Sequence, residues 1–341
     1  MGGHGSPGRR DGEREDAALS GTTTKDDDGT IVLTGATGFI GSHALTALLH
    51  RGRRIRALVR HIPEDGAAAS VEWVRGDLTD PAALGGLCEG ASAVVHLASY
   101  IGGDERRCGA VNVDGTRALM AEALRARVPR VVHLSTAAVY GAGPHRGITV
   151  GEVTAEPTSA VSRTRLAGEA YARHAGAVVL RPGIVLGAGD RWVVPSLREL
   201  VERVPAEWDG GRALLSVVDV GDLARLITAA ATGPRPVPPG VYHVGHPDPV
   251  RIKDLLAELS ALGVLPPRPT EDWPWPACLE RLRTTPGRAS ERQFALAARD
   301  HWYLADEIWK LTDEPPGPGP LSRLARSAEW YRAHLHGADT A

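Results

Sequence analysis

A glycine-rich turn just after the first apolar run limits what this chain can fold into. The stretch from Thr34 reads TGATGFIG and places glycines at Gly35, Gly38 and Gly41. Glycines at this spacing allow a tight turn, a close approach of the backbone to a pyrophosphate, and close packing of helix on strand. The following helix offers free N–H groups to the anion. The turn therefore predicts a dinucleotide-binding unit.

Short apolar runs alternate with helical segments from Thr30 onward. The runs are TIVLTG, RIRALVR, VEWVRGDL, ASAVVHLAS, RVVHLSTAAVYG and AVVLRPGIVLG, and the first helix is expected from about Ile40 to His50. Such alternation implies parallel crossovers. We predict an α/β fold, a doubly wound parallel sheet of the Rossmann type with a smaller C-terminal substrate lobe.

Three segments follow from the composition along the chain. Residues 1–29 are rich in Gly, Thr and charged residues and are expected to be disordered, without the apolar core of a signal peptide. Residues 30–187 are predicted to form the NADP-binding Rossmann domain. Residues 188–335 are predicted to form mainly a substrate-binding lobe, with strands returning to the Rossmann sheet. Within it, a Pro- and Trp-rich stretch over 264–278 is expected to be irregular, before helices near 289–299 and 320–334.

Charge and the cysteine and histidine spacing argue against a nucleic-acid or membrane partner, a disulfide framework and a metal site. A net charge of −2 gives no reason to expect nucleic acid or a membrane surface as a partner. The three cysteines, Cys88, Cys108 and Cys278, predict no disulfide framework and a cytoplasmic location, and the histidines show no spacing typical of metal ligands. Only three of the 39 basic residues are lysines. That bias is typical of GC-rich coding, as in actinobacteria, and favours specialised metabolism.

Arg60 indicates which dinucleotide is preferred. The second strand ends at this arginine without a carboxylate that would accept the ribose hydroxyls of NAD. Arg60 therefore predicts NADPH as the cofactor, the alternative being a solvated surface arginine. Asp77 and Leu78 end the third strand and are expected at the adenine edge. Leu97 and Ser99 end the fourth strand beside the expected cofactor.

The chain resembles an extended short-chain dehydrogenase/reductase over about 300 residues. The resemblance is carried by TGATGFIG, GDL, VVHLAS, NVDGT, HLSTAAVYG, RLAGE, RPG, VVDVGDLA and YHVG in the order and spacing of the family. The C-terminal part is similar to the dihydroflavonol-reductase-like branch. The resemblance implies that Thr136 takes the position of the active-site Ser/Thr. It also implies cofactor contacts from Gly35, Thr37, Gly38, Phe39, Ile40, Arg165, Pro182 and Ile184.

The stretch TSAVSRTRLAGEAYA departs from the family's YxxxK pair. Arg165 stands at the lysine position and Val161 at the tyrosine position. Valine cannot donate a proton, and an arginine guanidinium is a poor acid, although it can still bind the cofactor ribose. Tyr171 is ten residues after Val161, nearly three helical turns away, so it is not a one-step register shift of the missing tyrosine. We interpret Tyr140 as a packing residue and Tyr100 as a candidate to line the substrate pocket.

Two routes remain for the proton, and both are hypotheses. Thr136 and Ser99 could hold the carbonyl and relay a proton from water, with Arg165 supplying positive charge. Alternatively, a phenol beside the ketone of an aromatic substrate supplies the proton, and the protein orients the substrate for hydride delivery. Five C-terminal tryptophans could stack on a flat polycycle, although each is more often a core residue; they are Trp273, Trp275, Trp302, Trp309 and Trp330.

Three functions compete at this point. The leading one is NADPH-dependent reduction of a carbonyl of an aromatic polyketide, of the angucyclinone type, to a secondary alcohol in antibiotic biosynthesis. The alternatives are a nucleotide-sugar epimerase or dehydratase, and a catalytically silent NADP-binding sensor. The expected partner is a small-molecule substrate, and a homodimer is a candidate assembly because dimers are common in the family.

Overall fold

The computed structural model describes residues 1–2, 29–64, 69–267 and 271–339. The disorder expected for residues 1–29 concerns a segment that lies almost entirely outside these ranges, so it stays a prediction. In chain order the strands are β1 (Thr30–Thr34), β2 (Ile55–Val59), β3 (Val71–Arg75), β4 (Ala91–His96), β5 (Val131–Leu134), β6 (His145–Ile148), β7 (Val178–Pro182), β8 (Ile184–Leu186), β9 (Glu207–Trp208), β10 (Leu214–Leu215), β11 (Val217–Asp219), β12 (Gly240–Val244), β13 (Val250–Arg251), β14 (Asp272–Trp273) and β15 (His301–Tyr303).

The α-helices alternate with these strands in the first half and dominate the second half. They are α1 (Phe39–His50), α2 (Glu105–Cys108), α3 (Thr116–Arg125), α4 (Ala160–His174), α5 (Val193–Arg203), α6 (Val220–Thr232), α7 (Ile252–Ala261), α8 (Trp275–Thr284), α9 (Glu291–Ala298), α10 (Asp306–Thr312) and α11 (Pro320–Asp339). In the part of the chain that the structure describes, no helix is both long and apolar enough to cross a membrane.

A seven-stranded parallel sheet forms the centre of the fold. Its strand order is β12-β7-β5-β4-β1-β2-β3, and each of the six runs predicted as strands contributes one strand to it. The end of the sixth run is a separate strand, β8, which pairs with β11. The predicted doubly wound α/β sheet is therefore confirmed. The order reverses between β1 and β4, and the carboxyl ends of strands at such a reversal flank the crevice where ligands bind.

Helices cover both faces of this sheet, which explains why its strands are apolar throughout. On one face, Leu48 of α1 and Leu223 of α6 pack against Leu33 of β1. On the other face, Leu119 of α3 and Ala172 of α4 pack against buried strand residues. Parallel strands buried on both faces carry apolar residues on each side, so no alternating pattern marks them.

The second half builds its own core around aromatic residues. Trp208, Phe294 and Tyr331 are fully buried there, among the apolar faces of α5, α7, α8, α9 and α11. A four-stranded sheet of order β13-β10-β15-β6 lies beside it and borrows β6 from the first half. Residues 264–278 are not wholly irregular, because they contain β14 and the start of α8. The helices expected near 289–299 and 320–334 are α9 and α11.

Candidate active site

The glycine turn lies directly against the end of β4. Gly35 has a φ of +77°, and a Cβ added there would come within 2.7 Å of the Ala98 backbone nitrogen. Gly38 is the residue that precedes α1, so the N-terminus of this helix opens at the crevice. The Thr34 hydroxyl bonds His96 Nδ1 at 2.7 Å and ties the two strand ends together. This close backbone approach fits the pyrophosphate of a dinucleotide.

Arg60 and Asp77 lie at the ends of the next two strands. Arg60 is exposed immediately after β2, and Asp77 follows β3 by two residues. The Thr79 backbone N–H donates to Asp77 Oδ1 at 2.9 Å, and the Thr79 hydroxyl does so at the same distance. These bonds and the charge of Arg60 hold the pKa of Asp77 below its ordinary value, although partial burial opposes the shift. Leu78 beside it is buried.

Asn112, which the sequence reasoning did not single out, organises the loop after β4. Its buried amide oxygen accepts from the Ser99 hydroxyl at 3.2 Å and from the Tyr100 N–H at 2.8 Å. Its amide nitrogen donates to the Tyr100 carbonyl at 2.9 Å and to the Thr164 hydroxyl at 3.1 Å. The Ser99 proton is thus already engaged. Leu97, just before this loop, is half-buried.

A cavity of about 450 Å³ lies between the carboxyl ends of the strands and the C-terminal helices. Six of the predicted site residues line it: Phe39, Ile40, Thr136, Arg165, Pro182 and Ile184. Tyr100 is not among the described residues that line this cavity, whereas its neighbour Ile101 is. The Tyr100 ring instead faces the Arg107 guanidinium, 4.9 Å from its centroid.

Thr136 and Arg165 approach the cavity from β5 and α4. The Thr136 oxygen accepts from the Ala138 N–H at 3.1 Å, which leaves its proton free to donate. Arg165 Nη2 donates to the Leu134 and Ser135 carbonyls at 2.8 and 2.7 Å. Burial lowers the pKa of Arg165 to about 10, so it remains a cation at neutral pH. Half-buried Val161 lies one helical turn before it.

A buried polar network behind the cavity occupies the Tyr140 hydroxyl. Arg181 pairs with Glu169 through bonds of 2.6 and 3.0 Å, and the Ser135 hydroxyl also bonds that carboxylate. Arg181 Nη1 donates to the Tyr140 oxygen at 2.8 Å, and His243 Nε2 lies 2.6 Å from the same oxygen. Burial lowers the pKa of His243 to about 4, so this imidazole is neutral. Because Arg181 already donates to the Tyr140 oxygen, the Tyr140 O–H donates its hydrogen bond to His243 Nε2. Tyr140 is a packed, hydrogen-bonded residue.

The part of the cavity away from the glycine turn is lined mostly by apolar side chains, with four polar ones among them. Its lining residues come from α5, α9 and β15 and from the segment before α5; they are Trp192, Val193, Ser196, Leu197, Leu200, Gln293, Leu296, Ala297, His301 and Tyr303. Among the described lining residues, Arg165 is the only lysine or arginine. The described lining therefore offers few cationic side chains to an anionic ligand.

Most of the five C-terminal tryptophans pack as core residues, which is the alternative to stacking on a substrate. Trp273, Trp275 and Trp330 pack on the C-terminal core, and the Trp309 indole donates to the Gly245 carbonyl at 2.8 Å. None of the five candidates is among the described lining residues, because each belongs to a core or packs on another strand. Trp192 lines the cavity instead, and its side chain is 59% exposed.

Asp190 fixes the position of α5 and hence of Trp192. Its buried carboxylate accepts from three backbone N–H groups at 2.8 to 3.0 Å, those of residues 192, 193 and 194. The Tyr331 hydroxyl donates to the same carboxylate at 3.1 Å. Burial raises the pKa of Asp190 above its ordinary value, against the effect of these bonds.

The chain is similar to known proteins in sequence and in fold. The NAD-dependent epimerase/dehydratase family model matches residues 31–245. Sterol demethylase protein B of Methylococcus capsulatus is 35% identical over 47% of this chain and 53% of its own, so the chain spans about half the length of this relative. The 4-hydroxy-2-methyl-3-oxo-4-farnesyl-3,4-dihydroquinoline-1-oxide ketoreductase of Stigmatella aurantiaca is 30% identical over 67% of this chain and 71% of its own. The solved structure of MoeE5 in complex with UDP-glucuronic acid and NAD is 25% identical with a TM-score of 0.68, covering 90% of this chain and 100% of that one.

Proposed function

Since the chain belongs to the NAD-dependent epimerase/dehydratase family, we propose that it is an NADPH-dependent ketoreductase. In this proposal it reduces a carbonyl of an aromatic polyketide, an angucyclinone, to a secondary alcohol in antibiotic biosynthesis. The ketoreductase from Stigmatella aurantiaca, whose substrate is a bicyclic aromatic compound by name, supports the reaction class.

The mostly apolar lining of the cavity is the observation on which the proposed substrate class rests. A nucleotide sugar contains a pyrophosphate group, and proteins bind such a group with cationic side chains or backbone N–H groups. Arg165 is the one arginine among the described lining residues, and its guanidinium already donates to the Leu134 carbonyl. Leu197, Leu200 and Leu296 instead offer hydrocarbon surface. This favours a flat hydrophobic ketone over a nucleotide sugar.

Residues of both halves share the work of binding and orientation. The turn at Gly35 and the start of α1 would hold the pyrophosphate, and Arg60 would pair with the 2′-phosphate. Arg165 would bond the ribose, and Thr136 would donate to the substrate carbonyl oxygen. When bound, NADPH supplies the hydride.

The substrate's own phenol is the proton source that we propose. Ser99 donates to Asn112 and Tyr140 is held by Arg181 and His243, so neither hydroxyl is free. Thr136 has a free proton, but an ordinary hydroxyl is a weak acid. A phenol beside the ketone neutralises the alkoxide without a protein acid, and the cavity then has to provide orientation.

The reaction itself is the first test. The protein is mixed with NADPH and a panel of aromatic polyketide ketones, and cofactor absorbance and product mass are followed. We expect loss of NADPH absorbance with a product two hydrogens heavier. Tight NADPH binding without turnover on any ketone would instead support the silent sensor, and conversion of nucleotide sugars would support the epimerase or dehydratase.

Methylation of the phenol beside the ketone tests the proton source. The methyl ether keeps most of the aromatic surface, so we expect it to bind, whereas its reduction should cease because the internal proton is gone. Substrate binding is measured by fluorescence titration and turnover by absorbance. Undiminished reduction of the ether would contradict the substrate-assisted route and return the role to Thr136, whose alanine variant should then lose about 10²–10⁴-fold in rate.

A further inference from the structure

We propose that the phenol of Tyr303 donates a hydrogen bond to the substrate carbonyl and so orients it for reduction. The inference rests on the proposed ketoreductase function and adds a residue to it. The sequence reasoning did not identify this tyrosine, because it lies in a three-residue strand with no motif around it.

Tyr303 is held rigidly at the edge of the cavity. It ends β15 and lines the cavity together with Thr136 and Gly183. The Ser216 hydroxyl accepts from the Tyr303 N–H at 2.9 Å and lies 3.3 Å from the Tyr303 carbonyl, to which it donates. A Cβ on Gly183 would come within 2.9 Å of the Ser216 Cβ. Tyr303 is thereby fixed close to the carboxyl end of β7, where the predicted nicotinamide contacts Pro182 and Ile184 lie.

The ring of Tyr303 is packed on its neighbours. It stacks on Tyr140 with centroids 5.6 Å apart and an interplanar angle of 26°, and the His243 ring lies 5.1 Å away. The residue is only 6% exposed. These ring contacts leave the Tyr303 side chain little freedom to change its orientation.

The hydroxyl of Tyr303 differs from those of the other buried tyrosines. Tyr140 bonds His243, Tyr242 donates to the Pro238 carbonyl at 2.8 Å, and Tyr331 donates to a carboxylate. Within the described ranges, the Tyr303 hydroxyl bonds no other group, and its oxygen is not fully buried. A phenol O–H that keeps accessible surface can donate a hydrogen bond to a ligand. A ligand oxygen in the cavity would be the missing acceptor.

In this proposal Tyr303 donates a hydrogen bond, and the proton itself comes from the substrate's phenol. Burial, with a smaller contribution from Tyr140, raises the pKa of its phenol, so it stays protonated across the working pH range. The hydride of NADPH adds to the carbonyl carbon, the C=O π electrons move to oxygen, and that alkoxide accepts the Tyr303 hydrogen bond. The substrate's phenol then supplies the proton. NADPH leaves as NADP⁺, and the product is the alcohol, whose phenolate is reprotonated by water.

Replacement of a single oxygen tests the assignment. Tyr303→Phe keeps the stacked ring, so we expect the NADPH Kd and the Tm to stay within error of the wild type. We expect kcat/KM for the aromatic ketone to fall about 10²-fold, as when one donor to a developing oxyanion is removed. Tyr242→Phe is the matched control, because its hydroxyl bonds the backbone away from the cavity. Equal rates for wild type and Tyr303→Phe would overturn the proposal.

A spectroscopic measurement keeps the test separate from turnover. Carbonyl-labelled 1-tetralone is bound to each protein in the presence of NADP⁺, and the infrared band of its C=O group is recorded. We expect a lower frequency in wild type and Tyr242→Phe than in Tyr303→Phe. The same frequency in all three, or failure of tetralone to bind, would overturn the assignment. Failure of every ketone to be reduced while the band still shifts would reject the reductase function and keep Tyr303 as the carbonyl contact.

Discussion

At the scale of single residues, we expect Arg60 to set the preference for NADPH over NADH. Its guanidinium is exposed at the end of β2, beside the carboxylate of Asp77. Arg60→Ala removes a charge-assisted contact worth roughly 1.5–3 kcal/mol, so the Kd for NADPH should rise about ten-fold or more. The Kd for NADH should change little. Titration of both cofactors by fluorescence measures the two constants.

The control for Arg60 is another exposed arginine. Arg117 pairs with Asp114 on the surface at 3.0 Å, and Arg117→Ala removes the same charge from the protein. Cofactor affinity in this variant should match that of the wild type. An equal rise in the Kd values for NADPH and NADH in Arg60→Ala would contradict the assignment of Arg60 to the 2′-phosphate. It would indicate that Arg60 attracts both cofactors through its charge.

The residues that the sequence identified were those inside local motifs. Thr136 and Arg165 lie in stretches typical of the family, and both line the cavity. Trp192, His301 and Tyr303 lie there too, yet they stand outside the motifs and reach the cavity through tertiary packing. Long-range packing of this kind leaves no periodic or local pattern. The single available signal was the aromatic content of the C-terminal part.

At the scale of elements, the start of α5 makes stability depend on pH. Because the pKa of Asp190 in the folded chain is raised above its ordinary value of 3.8, the folded state binds more protons than the unfolded state just above that pH. The contribution of Asp190 to the free energy of unfolding is therefore full below pH 3.8 and falls as pH rises through the raised pKa. We expect the wild-type free energy of unfolding, minus that of Asp190→Asn, to decrease over this window.

Urea unfolding at a series of pH values measures this difference. Asp219, whose pKa burial also raises, is present in both proteins and cancels in the subtraction. A difference that grows with pH would show that the three N–H bonds outweigh burial and would contradict the expectation.

Elements were predictable where they are long and regular. The main-sheet strands and α1 each begin within one residue of the predicted start, whereas several predicted runs continue past the end of the strand, by seven residues at β5. Strands β9, β10, β13 and β14 have two residues each, too few for any periodicity. Their pairing depends on tertiary contacts, so the small sheets of the second half could not be anticipated.

At the scale of the whole molecule, the mouth of the cavity is apolar on both halves of the chain. Trp192 and Ile101 are 59% and 43% exposed, although both line the cavity. A polycyclic ketone that extends to the mouth would cover the indole, with about 0.5–1.5 kcal/mol from stacking beyond burial. Trp192→Ala should therefore raise KM about ten-fold for a polycyclic ketone and leave kcat nearly unchanged.

Two comparisons make the Trp192 prediction specific. Leu304→Ala truncates another exposed apolar residue, 47% exposed and outside the described cavity lining, and KM should not change. A monocyclic ketone that does not reach the mouth should show the same KM in wild type and Trp192→Ala. An equal rise in KM for both ketones would indicate that Trp192 stabilises α5 and does not contact the polycycle.

The position of β12 at the end of the main sheet has a consequence for synthesis on the ribosome. β12 pairs with β7, but the chain makes α5, α6 and several short strands between the two. Until Gly240 leaves the exit tunnel, β7 is an edge strand whose free backbone groups can pair with other nascent chains. Fragments that end before Gly240 are therefore expected to aggregate. A shortened protein that retains the glycine turn has to extend through Val244, the end of β12.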